Sequence, residues 1–522
     1  MVKVTIDDRE VDVPPGTLVV DAATAAGIEI PVFCYHPKMK PAGACRMCLV
    51  EIEKIRGLPA ACTTRVNDGM VVKTTTPAVI KQQKGLLEFL LINHPLDCPV
   101  CDQGGECPLQ DTTFKFGPGT SRFIEPKRHF VKPIALSDRV LLDRERCIMC
   151  LRCVRFQNEI AYDDALGIVN RGASAEIGVM PGRQFDSPFS GNTIDICPVG
   201  ALTSAKYRFR ARPWDIRDVA TVCPHCSVGC NVAATVRDVD VKRILPRENT
   251  AVDDGWLCDK GRFTYEFVQG PDRLVTPLVR RDGQLVPASW PEALSLIGER
   301  MRGIVATAGP RAIGGVISPR QTNEELYLFQ KLFRAVVGTN NVDHRPAGRR
   351  DTDAILKRLL GYRAATGSIV ALEKSAAIFA IGTNTIKEQP ILNLRVKKAT
   401  SRGAALILAE PEQTDLAKVA KQTLRYAPGS EAALVGAMLF VLFRDGLVDA
   451  EFAAAHPEIV SEVKQAVATF DPSATAEGTG LSSDAVTLAA TSLAQAKSAT
   501  ILYSASWACL LYTSDAADDL TR

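Results

Sequence analysis

At 522 residues the chain is too long for one hydrophobic core, and three to five domains are expected. A formal net charge of +3 gives neither a basic nor an acidic excess and argues against a nucleic-acid or acidic partner. The longest apolar run, Ala432–Phe443, is too short to span a bilayer and fits a core helix, while Met1-Val-Lys-Val-Thr-Ile reads as a strand rather than a signal peptide.

Residues 1–78 open with strand-like alternation at Val2, Val4 and Ile6, turn at Pro14-Pro-Gly16, and continue in a short helix over Leu18–Ala26 that stops at Gly27. Cys34, Cys45 and Cys48 lie in a glycine-containing loop, Leu49–Glu53 reads as a strand, Cys62 begins a second loop, and Gly69–Thr75 is a further strand. Small residues beside the cysteines let backbone N–H groups approach a bound cluster and offset its negative charge. The pattern resembles the plant-type ferredoxin fold with a 2Fe–2S centre, although its first spacing exceeds the plant C-x4-C-x2-C. A zinc loop is the alternative.

Residues 79–118 begin with a helical pattern over Val79–Ile92 and then carry His94, Cys98, Cys101 and Cys107. The histidine stands four residues before a cysteine triplet that lacks a fourth ligand, so ligation is expected; a Cys3His zinc knuckle is the local rival. Residues 119–215 hold Cys147, Cys150 and Cys153 at C-x2-C-x2-C, close to the bacterial ferredoxin run whose fourth cysteine precedes proline; here Cys197-Pro198 supplies it. Residues 216–272 hold Cys223, Cys226 and Cys230, completed by Cys258. His225 lies between ligands and reads as a neighbour. Fifteen of the 16 cysteines thus fall, with His94, into four sets of four, the number that an iron–sulfur cluster or a tetrahedral zinc requires. With no export signal, these spacings read as ligands rather than disulfides.

From Arg273 the cysteines stop. Residues 273–508 alternate apolar runs with helical ones: Ala312–Ile317, Ala376–Gly382, Ala404–Ala409 and Ala499–Tyr503 read as buried parallel strands, and Glu324–Val337, Ile391–Ala399 and Glu431–Arg444 as helices. A doubly wound α/β domain is expected; Gly382-Thr-Asn384 follows a strand, where the switch-point rule would face it toward a ligand, with a plain turn as the alternative. Residues 509–522, including Cys509, resemble a translated sequencing adapter and read as a non-native tail, so the α/β domain is expected to break off after Ala499–Tyr503.

All four ligand sets, in this order and spacing, resemble the large iron–sulfur subunit (75-kDa type, or G) of bacterial respiratory NADH:quinone oxidoreductase, complex I. The resemblance implies a 2Fe–2S centre at Cys34, Cys45, Cys48 and Cys62, and 4Fe–4S centres at His94, Cys98, Cys101 and Cys107 and at Cys147, Cys150, Cys153 and Cys197. Cys223, Cys226, Cys230 and Cys258 resemble an extra 4Fe–4S centre of some bacterial members, off the main electron path. The implied fold is α+β and multidomain: an N-terminal ferredoxin-like β-grasp, cluster modules, then a truncated α/β domain resembling molybdopterin oxidoreductases.

Iron-only hydrogenases resemble the first 210 residues, but their further cysteines have no counterpart here except Cys509. Molybdenum formate dehydrogenases resemble the remainder, through Gly338–His344; where that family has its metal ligand and histidine base, this chain has Arg349 and Arg350. A guanidinium cannot ligate molybdenum, so no molybdenum is expected, and Lys260 reads as inherited from the cluster-to-pterin lysine.

No nucleophile–base pair or nucleotide loop stands out, so hydride chemistry is expected on a partner. The resemblance places it on a flavin subunit that oxidises NADH, with electrons leaving to quinone-side iron–sulfur subunits and, indirectly, a membrane arm. The expected location is peripheral, on the cytoplasmic side of the plasma membrane. A formate dehydrogenase- or hydrogenase-type subunit is the redox alternative, and a zinc-stabilised scaffold the alternative of another class.

Overall fold

The computed structural model describes residues 1–318, 320–344, 357–358, 361 and 365–504. It divides into two bodies, Met1–Cys223 with Cys230–Glu266, and Pro224–Gly229 with Phe267–Arg522.

The first body opens with β1 (Val2–Ile6) and β2 (Arg9–Val13), joined at Asp7 and Asp8, whose positive φ values of 42° and 66° make a two-residue turn matched to strand twist. Helix α1 (Val19–Ala25) follows, then β3 (Glu51–Ile52) and β4 (Met70–Lys73). The sheet order is β2-β1-β4-β3, with β4 parallel to β1, which is a β-grasp arrangement. Period-two alternation buries Val4 and Ile6 against Val19, Val20, Ala22 and Ala23 of α1.

Helix α2 (Pro77–Leu91) starts where the Thr76 hydroxyl accepts the Val79 N–H at 3.3 Å and Pro77 takes the first helical position. It delivers the chain to His94. Helix α3 (Pro108–Phe116) begins directly after Cys107.

A small antiparallel sheet sets the strand Val140–Leu142 between Ile134–Ala135 and Leu202–Ser204. The Asp143 N–H donates to the Ala201 carbonyl at 2.7 Å, so this pairing draws residues on from 143 against those just beyond Cys197. Helix α4 (Arg152–Phe156) carries Cys153, and α5 (Asn192–Asp195) leads to Cys197. The strands Arg217–Val222, Asn231–Arg237 and Asp240–Pro246 form a second antiparallel sheet. Helix α6 (Asp259–Phe263) is pinned to the segment before Cys197: Asp259 accepts the Gly191 N–H at 2.8 Å, and the Asn192 amide bonds both the carbonyl and the N–H of Leu257, at 2.8 and 3.0 Å.

In the second body four parallel strands run in the order Gln422–Leu424, Ala405–Ala409, Ala377–Ile381, Ala499–Tyr503. Phe379, Ile381, Ile407 and Ala409 face the helices Glu431–Arg444 and Ser483–Ala494; Ile378, Ala380, Leu406 and Leu408 face the helix Pro390–Ser401. The sheet is therefore doubly wound, and Gly382 ends a strand at the point where strand order reverses.

Two of the expected buried strands differ. Of Ala312–Ile317 only Gly315–Val316 is strand, Ala312 falling in the 3₁₀ turn Pro310–Ala312, and among the described residues it pairs with Val342–Asp343 rather than with the four-stranded sheet. Among the described residues Ala499–Tyr503 is the outermost strand rather than a buried one, with a neighbour on one side alone and with Ile501 58% and Tyr503 46% exposed. The expected helix Glu324–Val337 is α-helical over Asn323–Lys331 and widens into a π-turn over Leu332–Val337 before Gly338. Arg349, Arg350 and the tail with Cys509 lie outside the described residues.

Glu410, at the end of Ala405–Ala409, is 5% exposed and accepts the Thr383 N–H. Burial, with Glu388 and Glu412 near by, raises its carboxyl to about 7 from an ordinary 4.5. A raised acid stabilises fully below pH 4.5 and loses that contribution, about 3 kcal/mol, as pH rises through 7. Denaturant midpoints measured from pH 5 to 8 should fall across this range, and Glu410→Gln should flatten the slope. An unaltered slope in that variant would show that another group is responsible.

Candidate metal centres

In the first set, Cys34, Cys48 and Cys62 are buried and Cys45 half-buried. Their thiols make a chain of contacts from Cys45 to Cys34 to Cys62 to Cys48, and the Cys34 N–H points at the Cys45 sulfur at 3.4 Å. Gly43 and Arg46 both have positive φ (61° and 57°), which curls the loop around this group.

The second set lines one cavity: His94, Cys98, Cys101 and Cys107 share its wall with Asp97, Arg146 and Gly200. Burial, helped by the Arg146 charge, pushes the His94 imidazole down to about 4, so it is neutral, as metal ligation requires. Burial pushes the Cys107 thiol up to about 11. Cys98 alone of this set is exposed. Arg212 holds the loop from behind, donating to the carbonyls of Pro99 and Cys101.

The third set is enclosed by apolar side chains. Cys147, Cys150, Cys153 and Cys197 line one small cavity whose other walls include Leu142, Ile148, Ile177, Val199 and Leu202. Burial raises Cys147 and Cys150 to about 12 and Cys153 well above the usual thiol range. A thiolate in so apolar a site needs a metal's positive charge. The N–H groups of Val199, Ala201 and Leu202 all aim at the Cys197 sulfur. Met149 and Leu151 adopt positive φ (52° and 63°), strain that turns backbone N–H groups toward the cavity.

Of the fourth set, Cys223 and Cys230 face each other where Arg217–Val222 meets Asn231–Arg237, the Cys223 N–H donating to the Cys230 carbonyl at 2.9 Å. Cys258 caps α6, its sulfur accepting the Gly261 N–H at 3.4 Å; a Cβ on Gly261 would sit 3.2 Å from the Cys223 sulfur, so these two cysteines adjoin. Cys226 lies in Pro224–Gly229, which groups with the second body, as does His225, packed edge-on against Phe267. Lys260 is exposed.

Among the described residues no three His, Cys, Asp or Glu side chains are close enough to hold a single metal ion. In the second and third sets the donors instead surround cavities, as a cluster that binds each ligand through a different iron demands. Four mostly buried sulfur or imidazole donors per cavity, with N–H groups aimed at the sulfurs, fit iron–sulfur ligation.

Spacing alone did not reveal the arginines around these sites. Arg152, between Cys150 and Cys153, donates to the Ile196 carbonyl at 3.2 Å and to the Tyr35 carbonyl; Arg155 donates to the carbonyls of Cys34 and Lys40. Arg146, just before Cys147, bonds Asp97 at 3.0 and 2.8 Å and reaches the Gly200 carbonyl. The single clue in the sequence is an arginine directly before a ligand cysteine in Arg146-Cys147 and Arg152-Cys153.

Five family models match in chain order. They are a 2Fe-2S iron-sulfur cluster binding domain (1–77), the NADH-ubiquinone oxidoreductase-G iron-sulfur binding region (83–122), the NADH-quinone oxidoreductase subunit 3 ferredoxin-like domain (137–203), the molybdopterin oxidoreductase Fe4S4 domain (216–270) and molybdopterin oxidoreductase (273–507). The chain is thus an iron–sulfur protein of the oxidoreductases, with 2Fe–2S and 4Fe–4S binding domains.

The G subunit of the NADH-quinone oxidoreductase of Streptomyces coelicolor is 44% identical over 84% of this chain and 54% of its own length; the G 2 subunit of the Rhizobium meliloti enzyme is 41% identical over 87% and 53%. The NADPH-Fe(3+) oxidoreductase subunit alpha of Geobacter sulfurreducens is 35% identical over 97% of this chain and 59% of its own. The chain belongs to the family of NADH-quinone oxidoreductase G subunits, and it spans about half the length of the curated relatives it matches. Among the described residues no helix is long and apolar enough to cross a membrane.

Proposed function

We propose that the chain holds one 2Fe–2S and three 4Fe–4S centres at its four sets and relays single electrons from a flavin subunit that oxidises NADH toward quinone through the first three. The observation that carries this reading is that the third set touches both of its neighbours. Arg152 and Arg155, on the helix of Cys153, reach the carbonyls of Tyr35 and Cys34, and the Cys107 sulfur lies 3.7 Å from the Pro198 carbonyl next to Cys197. The order in space is first, third, second, not the order along the chain.

When bound, the clusters supply one-electron chemistry at potentials set by ligand type, hydrogen bonds and burial. The chain holds the sites adjacent, seals the third in apolar side chains and aims N–H groups at the sulfurs. Exposed Cys98 opens the second set to the surface, where a quinone-side iron–sulfur subunit would take electrons. The fourth set lies off this route. The location that goes with this role is peripheral, on the cytoplasmic face of the membrane complex.

In the assembled complex Cys197→Ala should abolish NADH:quinone turnover while NADH oxidation by a small dye at the flavin partner persists. Retained quinone reduction would overturn the reading. The 97% coverage by the NADPH-Fe(3+) relative favours a second one, in which the same relay serves NADPH and ferric iron. Reduction of the centres by NADPH in preference to NADH would favour it.

The chain binds no molybdenum on this reading, because Arg349 stands where the related enzymes place a ligand. Molybdenum recovered with the protein would contradict it.

Substituting His94 separates ligand charge from ligand loss. Neutral imidazole replaces a thiolate, so the shell is less negative and accepts an electron more readily, as in Rieske centres. His94→Cys should keep its centre at a lower potential, and His94→Ala should leave a labile or three-iron centre. An unchanged signal and potential in His94→Ala would remove His94 from the ligand set.

A further inference from the structure

Arg152 makes no ion pair with a carboxylate among the described residues, and its Nε is sealed from solvent without a partner. Its remaining donors go to two carbonyls that belong to different sites. Nη1 donates to Ile196, directly before Cys197 of the third set, and Nη2 to Tyr35, directly after Cys34 of the first. The sulfurs of Cys150, Cys197 and Cys34 are all close enough to feel its charge. A partly buried cation without an acid is costly unless another negative group stands by, and thiolate-bound clusters on both sides supply one.

Arg146, the equivalent residue before Cys147, behaves differently: Asp97 and Asp143 match its charge at 2.8 and 3.2 Å. Arg155, on the same helix, reaches the Cys34 carbonyl, and its Nε is likewise sealed without a partner, so among the described residues it is the cations at the gap between the first and third sites that lack a carboxylate.

We propose that Arg152 is a positioning residue of the relay: strung between the backbone beside Cys34 and the backbone beside Cys197, its guanidinium fixes the gap between the first and third centres and raises the electron affinity of both. The inference rests on the relay reading above. An electron crossing this gap oxidises one centre and reduces the other; no bond breaks and no proton moves. Because reduction adds negative charge on either side, a fixed cation in a low-dielectric gap favours the reduced form of each. Its two hydrogen bonds also satisfy the carbonyls of Ile196 and Tyr35.

The test is a redox titration of the full chain, reconstituted anaerobically and followed by electron paramagnetic resonance, in Arg152→Gln and Arg152→Lys. Arg152→Gln should lower the reduction equilibrium constant of the first and third centres about tenfold, which is about 59 mV for one electron, while the second and fourth stay put. Arg152→Lys keeps the charge and should hold both potentials within about threefold of the unsubstituted chain. Unmoved potentials in Arg152→Gln, or an Arg152→Lys shifted as far as Arg152→Gln, would overturn the proposal. If Arg152→Gln does not load, Arg152→Lys decides alone: a tenfold shift there, or failure of both to load, marks a merely structural residue. Absence of the first or third signal in the unsubstituted chain would instead sink the relay reading.

Discussion

Arg146→Ala is expected to destabilise the first body by about 3–5 kcal/mol, the usual result of removing one partner from a buried ion pair. Arg146 is 4% exposed and Asp143 3%; the guanidinium lies 3.2 Å from Asp143 and bonds Asp97 on two nitrogens. Asp97 keeps Lys132 at 2.8 Å, but Asp143 loses the cation that its buried carboxylate faces. The damage falls between two candidate metal sites, because Asp97 precedes Cys98 and Arg146 precedes Cys147. Denaturant unfolding and iron analysis of the variant should show lower stability and loss of iron from the second and third sets. A variant as stable as its parent, with full iron, would show that the pair contributes little.

Gly200→Ala is expected to empty the same two sites by a different route. A Cβ at Gly200 would overlap the Cys101 sulfur and lie 3.2 Å from the Gln103 Cβ, and neither neighbour can withdraw without moving a ligand loop. Glycine is needed here for close approach. Roughly eight of about fourteen irons should be lost, four from each 4Fe–4S centre. Gly85, inside α2 with nothing within 4 Å of its added Cβ, is the control: Gly85→Ala should keep all its iron and gain about 1 kcal/mol of helix stability. Full iron in Gly200→Ala would mean that Cys101 does not hold a cluster at that place.

Much of the candidate site was legible because its groups are local in sequence. Cys147, Cys150 and Cys153 are close in sequence, and so are Cys98, Cys101 and Cys107; the structure sets each triplet around one cavity with the fourth partner read from the sequence, Cys197 and His94. Elements with strong periodicity or apolar runs were equally clear, among them Ala377–Ile381 and Glu431–Arg444. The chain order of the sets concealed their spatial order. That order depends on Leu202–Ser204 pairing with Val140–Leu142 and on α4 reaching back to Cys34, contacts that no local pattern encodes. Positive φ at Met149 and Leu151 was invisible too, since glycine is the residue that signals it. The misplaced strand Ala312–Ile317 shows the limit of an apolar run: Pro310 shortens it, and pairing rather than hydropathy decides which sheet it joins.

The central claim is that the four sets hold iron–sulfur clusters, and the measurement that tests it most directly is metal and sulfide analysis of anaerobically purified full chain, with electron paramagnetic resonance on the reduced protein. A brown protein with about fourteen irons and about fourteen sulfides per chain is expected, with signals from both 2Fe–2S and 4Fe–4S centres. A colourless protein with about four zinc ions per chain and no sulfide would contradict it.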